Sequence, residues 1–401
     1  MADNVTYTYC NLTHFASTYK GLHGYLSVLV CIFGSVTNVF NICVLTTREM
    51  RWPTNLILTG LAVTDLLVML EYIPFLSHYY LAPNAKQMQS HYSYSWALFM
   101  IFHVMFTQIC HFISCCLTVI LAIWRYIAIS KAHNDALRRT VTSIPRTLLT
   151  IFLTYLLCPL ICLPVFITHN IKIHNKSVRD DGQFISDKSL ENTTDYQQVQ
   201  VYTISIEGNF QSVTFFMYGV VIKLVPCILL TILSIKIIGV LMETKKRRRL
   251  LFINCGVPLV SVENDCGGAG GCAGSLTNTN LQQKRHIEKE HQTDRTTRML
   301  LIVLLLFLIT EFPQAILGLM IVIYDDPLFA KQCYYPLGDL MDFLALTNSA
   351  INFVLYCSMS RQFRSAFGEI FKLKVCEPCV RLPNNPPTEF NNGGTTQVTL
   401  V

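Results

Sequence analysis

Charged side chains are scarce in this sequence. Asp, Glu, Lys and Arg make up 14% of its 401 residues, against about 25% in an average globular chain. An ordinary soluble domain is therefore not expected. Catalytic signatures are missing too: there is no phosphate-binding glycine loop, no nucleophile elbow and no His-Glu-x-x-His pattern. Cys266 and Cys272 flank a glycine run, but no His or further Cys stands at ligand spacing. That stretch reads as a flexible linker rather than a metal site. With no nucleophile–base pair or ligand set standing out, neither an enzyme nor a cofactor is expected. Alternating strands of about ten residues are absent, which excludes a membrane β-barrel. The first 20 residues show no signal-peptide pattern, so the first apolar span is expected to serve as signal anchor.

Long apolar blocks are what the sequence does have. Hydrophobic residues make up 52% of the chain, and roughly 20 apolar residues suffice for a helix to cross a bilayer core. Seven segments qualify, at about 22–46, 54–80, 97–127, 147–168, 213–241, 297–323 and 337–358. With barrels excluded, backbone groups in lipid are satisfied only inside helices. The expected fold class is an all-α membrane protein, a seven-transmembrane helix bundle over 22–358. An extracellular N-terminus over 1–21 precedes it. A glycine-rich cytoplasmic loop lies at about 243–296. A short amphipathic eighth helix over 359–375 and a disordered cytoplasmic tail over 376–401 follow.

Orientation follows from the basic residues. Most lie after spans 1, 3 and 5 and in the tail, densest at Lys245, Lys246, Arg247, Arg248 and Arg249. The opposite connections hold only Lys86, Lys172, Lys176, Arg179, Lys188 and Lys331. The positive-inside rule puts the basic side in the cytoplasm and the N-terminus outside, as in a multi-pass plasma-membrane protein. A basic run beside a span reads as a contact for membrane lipid or a cytoplasmic protein, not for nucleic acid. The glycosylation sequons at Asn4, Asn11, Asn175 and Asn192 all fall on the outer side. Of 16 cysteines, only Cys10 and Cys333 lie on that oxidising side. They are expected to form a disulfide, the alternative being two free thiols.

Motifs along the spans then narrow the family. Span 1 has Gly34 and Asn38, span 2 has Leu61-Ala62-Val63-Thr64-Asp65, and span 3 ends in Trp124-Arg125-Tyr126. Span 5 has Pro226, span 6 has Phe307 and Thr310-Glu311-Phe312-Pro313, and span 7 has Asn352-Phe353-Val354-Leu355-Tyr356. In order and spacing these resemble the LAxxD, E/DRY, FxxCWxP and NPxxY motifs of rhodopsin-like G-protein-coupled receptors. The departures are Trp124 for the acid, Glu311 for the Trp and Phe353 for the Pro. Together with stretches such as PTNLILTGLAVTDLLVMLEYIP and EKEHQTDRTTRMLL, they resemble the invertebrate myosuppressin and FMRFamide-like neuropeptide receptors. Sex-peptide and myoinhibitory-peptide receptors look more distant. The family's usual disulfide, from the outer end of span 3 to the loop after span 4, lacks both cysteines here, with Leu98 near the first position. That loop is expected to be looser than in most relatives.

The resemblance implies roles for particular residues. Asp65, with Asn38, Asn348 and Asn352, resembles the class's sodium and activation site. The alternative is a neutral, hydrogen-bonded Asp that serves packing. Arg125 looks like the G-protein contact, and Trp124, Tyr126, Phe307, Pro313 and Tyr356 accompany it in activation; an Arg snorkelling to headgroups is the alternative. Glu311 is costly in lipid unless paired, and Lys223 and His111 are its candidate partners. A structural pair and a direct ligand contact stand at even odds. Glu71, Asp339 and Asp342 lie at the outer ends of spans 2 and 7, where carboxylates suit a ligand's guanidinium. Tyr72, Phe75, Trp96, His103, Phe216 and Tyr218 offer rings beside them, although any one aromatic more often packs helices.

The function these residues imply is reception of an amidated FMRFamide-like or myosuppressin-type neuropeptide. Helix rearrangement would pass the signal to a heterotrimeric G protein of the Gi/o class, with arrestin a further partner. A receptor for another peptide, such as a myoinhibitory peptide, is one alternative. A membrane transporter is the other, although no repeat between halves supports it. In the last segment Phe363, Phe367, Ile370 and Phe371 recur at helical spacing, an inner-leaflet amphipathic pattern. Cys376 and Cys379 beyond it are candidate palmitoylation sites. The ending Val398-Thr399-Leu400-Val401 suits a PDZ groove, against the alternative of an unbound tail.

Overall fold

The computed structural model describes residues 9–82, 89–130, 143–179, 184, 197–206, 214, 216–254, 277–324 and 326–371. Its helices are α1 (Thr13–Leu45), α2 (Pro53–Leu76), α3 (Tyr94–Ile129), α4 (Ile144–Ile167), α5 (Val225–Asn254), α6 (Thr277–Tyr324), α7 (Tyr335–Met359) and α8 (Arg361–Ile370). Seven helical stretches among the described residues are long and apolar enough to cross a membrane. The seven-helix bundle expected from the sequence is therefore present.

Lipid inverts the usual burial pattern. On α4, Leu149, Phe152, Leu156 and Leu160 are all about half exposed or more, which suits a hydrocarbon surround. The buried side of α1 is instead small and polar: Gly24, Ser27, Cys31, Gly34, Thr37, Asn38 and Asn41 recur every three or four residues. Small side chains let membrane helices approach closely without a hydrophobic driving force. That stripe packs α1 on α2 and α7.

Local chemistry sets several helix ends. Proline stands in the first turn of α2, α4 and α7, where no backbone donor is needed. The Ser93 hydroxyl accepts from Trp96 N at 3.4 Å to start α3, and the Ser360 hydroxyl accepts from Phe363 N at 3.2 Å to start α8. Helical structure also runs beyond the apolar windows. α1 begins at Thr13 rather than near 22, α5 continues to Asn254, and α6 begins at Thr277 rather than near 297. Hydropathy marks the part in lipid, whereas backbone hydrogen bonding carries on through polar residues. Among the described residues, three wide π-type turns occur, at Ser77–Leu81, Met217–Leu224 and Ala330–Tyr334.

The connection after α4 departs from expectation. It forms an antiparallel hairpin of β1 (His169–Val178) and β2 (Gln197–Ile206), paired from His169 opposite Ile206 to Val178 opposite Gln197. Backbone hydrogen bonds thus order this segment without the family's usual disulfide, so over these residues it is not the loose loop expected. At the same end of the bundle, Cys10 and Cys333 are joined, Cα atoms 5.3 Å apart. Tyr9 reinforces the join by donating from its hydroxyl to Asp326 Oδ2 at 2.9 Å. That bond raises the Tyr9 pKa above its ordinary value. At the other end α8 seats Phe363 and Ala366 in the core formed by α1 to α4 and α7.

Asn11 and Asn175 are exposed at the hairpin end. Asn4, Asn192, Cys266, Cys272, Cys376, Cys379 and Val398 to Val401 lie outside the described residues, as do the side chains of Lys245 and Arg247 to Arg249.

Candidate functional site

A cleft of ≈ 610 Å³, counted to its open mouth, sits among the helices. Helix α2 contributes Asp65 and Tyr72, α3 contributes Gln108, His111 and Ser114, and α6 contributes Gln314. Asp342 and Ser349 come from α7. Tyr218 and Lys223 come from the wide turn ahead of α5. A neighbouring space is lined again by Asp65, His111 and Ser114, and also by Phe307, Glu311, Asn348 and Asn352.

The four carboxylates named from the sequence have different surroundings. Both oxygens of Glu71 lie 2.9 Å from His103 Nδ1. Phe75 stacks on that imidazole at 3.9 Å between centroids, and Tyr72 meets its edge at 4.9 Å. Asp339 accepts from the Tyr80 hydroxyl at 2.7 Å. Glu311 accepts from Lys223 Nζ at 2.6 Å. Asp342 lines the cleft, accepts from the Tyr72 hydroxyl and, among the described residues, has no ion-pair partner. Glu71, Phe75, Trp96, His103 and Asp339 are not part of the cleft wall. Trp96 stacks instead on His78 at 3.4 Å, and Phe216 is 46% exposed.

Glu311 and Lys223 are 1% and 4% exposed, in the interior of the bundle. Lys223 Nζ also lies 2.6 Å from His111 Nε2, which in turn is 3.0 Å from Glu311 Oε2. An ammonium can only donate. Lys223 therefore donates to both neighbours, which places the His111 ring proton on Nδ1. The opposite charges cancel where neither alone is tolerable.

Deeper in the bundle, Asp65 accepts from the Ser114 hydroxyl at 3.1 Å and from Asn352 Nδ2 at 3.2 Å. Asn348 faces the same space. Asn38 does not reach Asp65. It donates to Gly34 O at 3.0 Å and Ser349 O at 3.2 Å, tying α1 to the α7 backbone. Ser114 was not singled out from the sequence, yet it lies three residues after His111, one turn along the same face of α3. Gln314, which donates to the Tyr218 hydroxyl at 2.5 Å, was signalled only as a polar residue in an apolar run.

At the α8 end, Arg125 keeps its Nε sealed from solvent with no hydrogen-bond partner among the described residues. Trp124 packs against the core, and Tyr126 lies under Lys236 Nζ at 5.8 Å. Phe307 is buried between α3 and α5, Pro313 is exposed on α6, and Tyr356 packs on Phe363 at 5.5 Å.

Residues 37–356 match the family model for the seven-transmembrane receptors of the rhodopsin family. The chain belongs to that family. A relative from Caenorhabditis elegans, G-protein coupled receptor dmsr-1, is 28% identical over 92% of this chain and 72% of its own length. The sex peptide receptor of Drosophila melanogaster is 29% identical over 87% of this chain and 72% of its own. The human thyrotropin-releasing hormone receptor is 25% identical over 91% and 80%. The protein is thus a multi-pass receptor rather than an enzyme. By their names, these relatives are a G-protein coupled receptor and receptors for a sex peptide and for thyrotropin-releasing hormone.

Proposed function

We propose that this receptor binds a short amidated neuropeptide of the FMRFamide-like or myosuppressin type, with the peptide's guanidinium at Asp342. The observation that carries this reading is the division among the carboxylates. Glu71 is paired with His103 and Glu311 with Lys223, while Asp339 accepts from Tyr80 and Asp342 from Tyr72; of the two without an ion-pair partner among the described residues, Asp342 is the one that lines the cleft. A carboxylate and a guanidinium pair bidentately and strongly. Tyr72 and Tyr218 supply ring faces beside the position. Glu71 and Asp339 act at second remove, by holding His103 and Tyr80.

In this reading the hairpin end faces outside, where Asn11 and Asn175 are available for glycosylation and Cys10–Cys333 is stable. The α8 end faces the cytoplasm, where Arg125 meets a G protein of the Gi/o class. The name of the relative sex peptide receptor and the motif resemblance support the peptide class.

The test is G-protein activation in cells expressing the chain, challenged with amidated peptides and their free-acid forms. The panel includes myosuppressin-type, FMRFamide-like and myoinhibitory sequences. Activation by an Arg-Phe-amide peptide, blocked by pertussis toxin, is the expected result. Activation only by peptides lacking a cationic residue would overturn the reading.

A further inference from the structure

We propose that Lys223, Glu311 and His111 form the restraint that holds the receptor silent without agonist. The proposal rests on the receptor reading above. Its physical basis is that one cluster ties three helical segments together in the middle of the bundle. Lys223 belongs to the wide turn ahead of α5, Glu311 to α6 and His111 to α3. The distances are 2.6 Å from Lys223 Nζ to Glu311 Oε2 and 2.6 Å from Lys223 Nζ to His111 Nε2. Separating α6 from α3 and α5 breaks the Lys223–Glu311 bond and the His111–Glu311 contact, and leaves two buried charges without their partners. That cost opposes the separation.

Three further observations point the same way. First, Trp124 stands where an acid would hold Arg125, and Arg125 Nε has no hydrogen-bond partner among the described residues. Second, the wide turn at Met217–Leu224 displaces the local register. Turns of this kind inside helices often mark functional positions, and here the turn carries Lys223. Third, the cluster bridges the two spaces. Lys223 and His111 line the cleft that contains Asp342, while His111 and Glu311 line the space that contains Asp65 and Asn352. A ligand seated at Asp342 therefore presses on the same side chains that join α3, α5 and α6. Glu311 Oε1 is buried with no hydrogen-bond partner among the described residues, so a second bonding arrangement is open to this carboxylate when the helices shift.

The test measures agonist-free G-protein signalling per receptor at the cell surface. Lys223→Met combined with Glu311→Leu removes both charges and leaves neither unpaired. This double variant is expected to raise basal signalling roughly 5-fold or more and to make agonist more potent. His111→Phe keeps the ion pair, removes the third arm, and is expected to give a smaller rise. It also serves if the double variant fails to reach the surface. The charge-exchanged variant, Lys223→Glu with Glu311→Lys, is expected to bring basal signalling back down from the level of the double variant.

Basal signalling equal to wild type in both the double variant and His111→Phe, while wild type still answers agonist, would overturn the restraint and leave the receptor reading standing. Loss of agonist-driven signalling with no basal rise would also overturn it, because the cluster would then belong to the signalling arrangement. Failure of the wild-type chain to signal with any peptide, together with no basal rise in any variant, would remove both readings.

Discussion

Gly219 and Gly318 bring the turn ahead of α5 and the outer half of α6 into backbone contact. A Cβ on Gly219 would lie 2.9 Å from the carbonyl carbon of Gly318, and one on Gly318 would lie 2.9 Å from the Gly219 Cα. Approach this close is open only to glycine on both sides. It sits four residues from Lys223 and seven from Glu311, so the buried ion pair depends on it.

Substitution here should therefore cost more than a helix glycine usually does. Gly219→Ala and Gly318→Ala are each expected to lower the thermal stability of the detergent-solubilised receptor by several degrees. A methyl group added at Gly239, on α5, would meet nothing within 4 Å. Gly239→Ala should therefore leave stability unchanged or slightly improved, by about 0.5–1 kcal/mol. Equal melting temperatures for all three variants would reject the packing argument.

The Cys10–Cys333 bond fastens the N-terminal segment to the turn ahead of α7. Cys10→Ser and Cys333→Ser should have the same effect on stability and surface expression, and the double variant should be no worse than either. Peptide mapping of unreduced protein should recover the two cysteines linked. Labelling of both as free thiols on intact cells would contradict the structure.

Arg125 lies far from the cleft, at the α8 end of α3. Arg125→Ala should abolish G-protein activation while agonist binding at the surface persists, which a radioligand assay separates from a folding defect. Trp124→Asp, which returns an acid beside Arg125, should lower basal activity. Full signalling by Arg125→Ala would reject its assigned role.

Some of this architecture was legible in the sequence for a clear reason. Lys223 and Glu311 are ionisable residues inside apolar runs, and the cost of an unpaired charge in lipid demands a partner. Asp65 called for polar neighbours by the same logic, and Asn352 is one of them. Asn38 met the same demand through backbone carbonyls of α1 and α7, and no pattern in the sequence distinguishes those solutions.

The carboxylates at the outer ends were not separable by sequence. Glu71 and Asp342 read alike until the α2–α3 packing brings His103 to one and not to the other. The hairpin did leave a trace, since Ile171 and Ile173 alternate with polar residues, as do Val199 and Val201. The trace is short and lies between long spans that dominate any hydropathy reading. Wide turns such as Met217–Leu224 leave no composition signal, because they arise from how neighbouring helices pack.

The pairing of a peptide guanidinium with Asp342 is tested most directly by a cycle that changes both partners. Potency is measured for an Arg-Phe-amide agonist and for the same peptide with citrulline, a neutral isostere, in place of Arg. Each is applied to wild type and to Asp342→Asn at matched surface expression. The account predicts that citrulline weakens the agonist roughly 30-fold or more on wild type, about 2 kcal/mol, and has little further effect on Asp342→Asn. If Asp342→Asn still discriminates arginine from citrulline as strongly as wild type does, the guanidinium does not bind at Asp342.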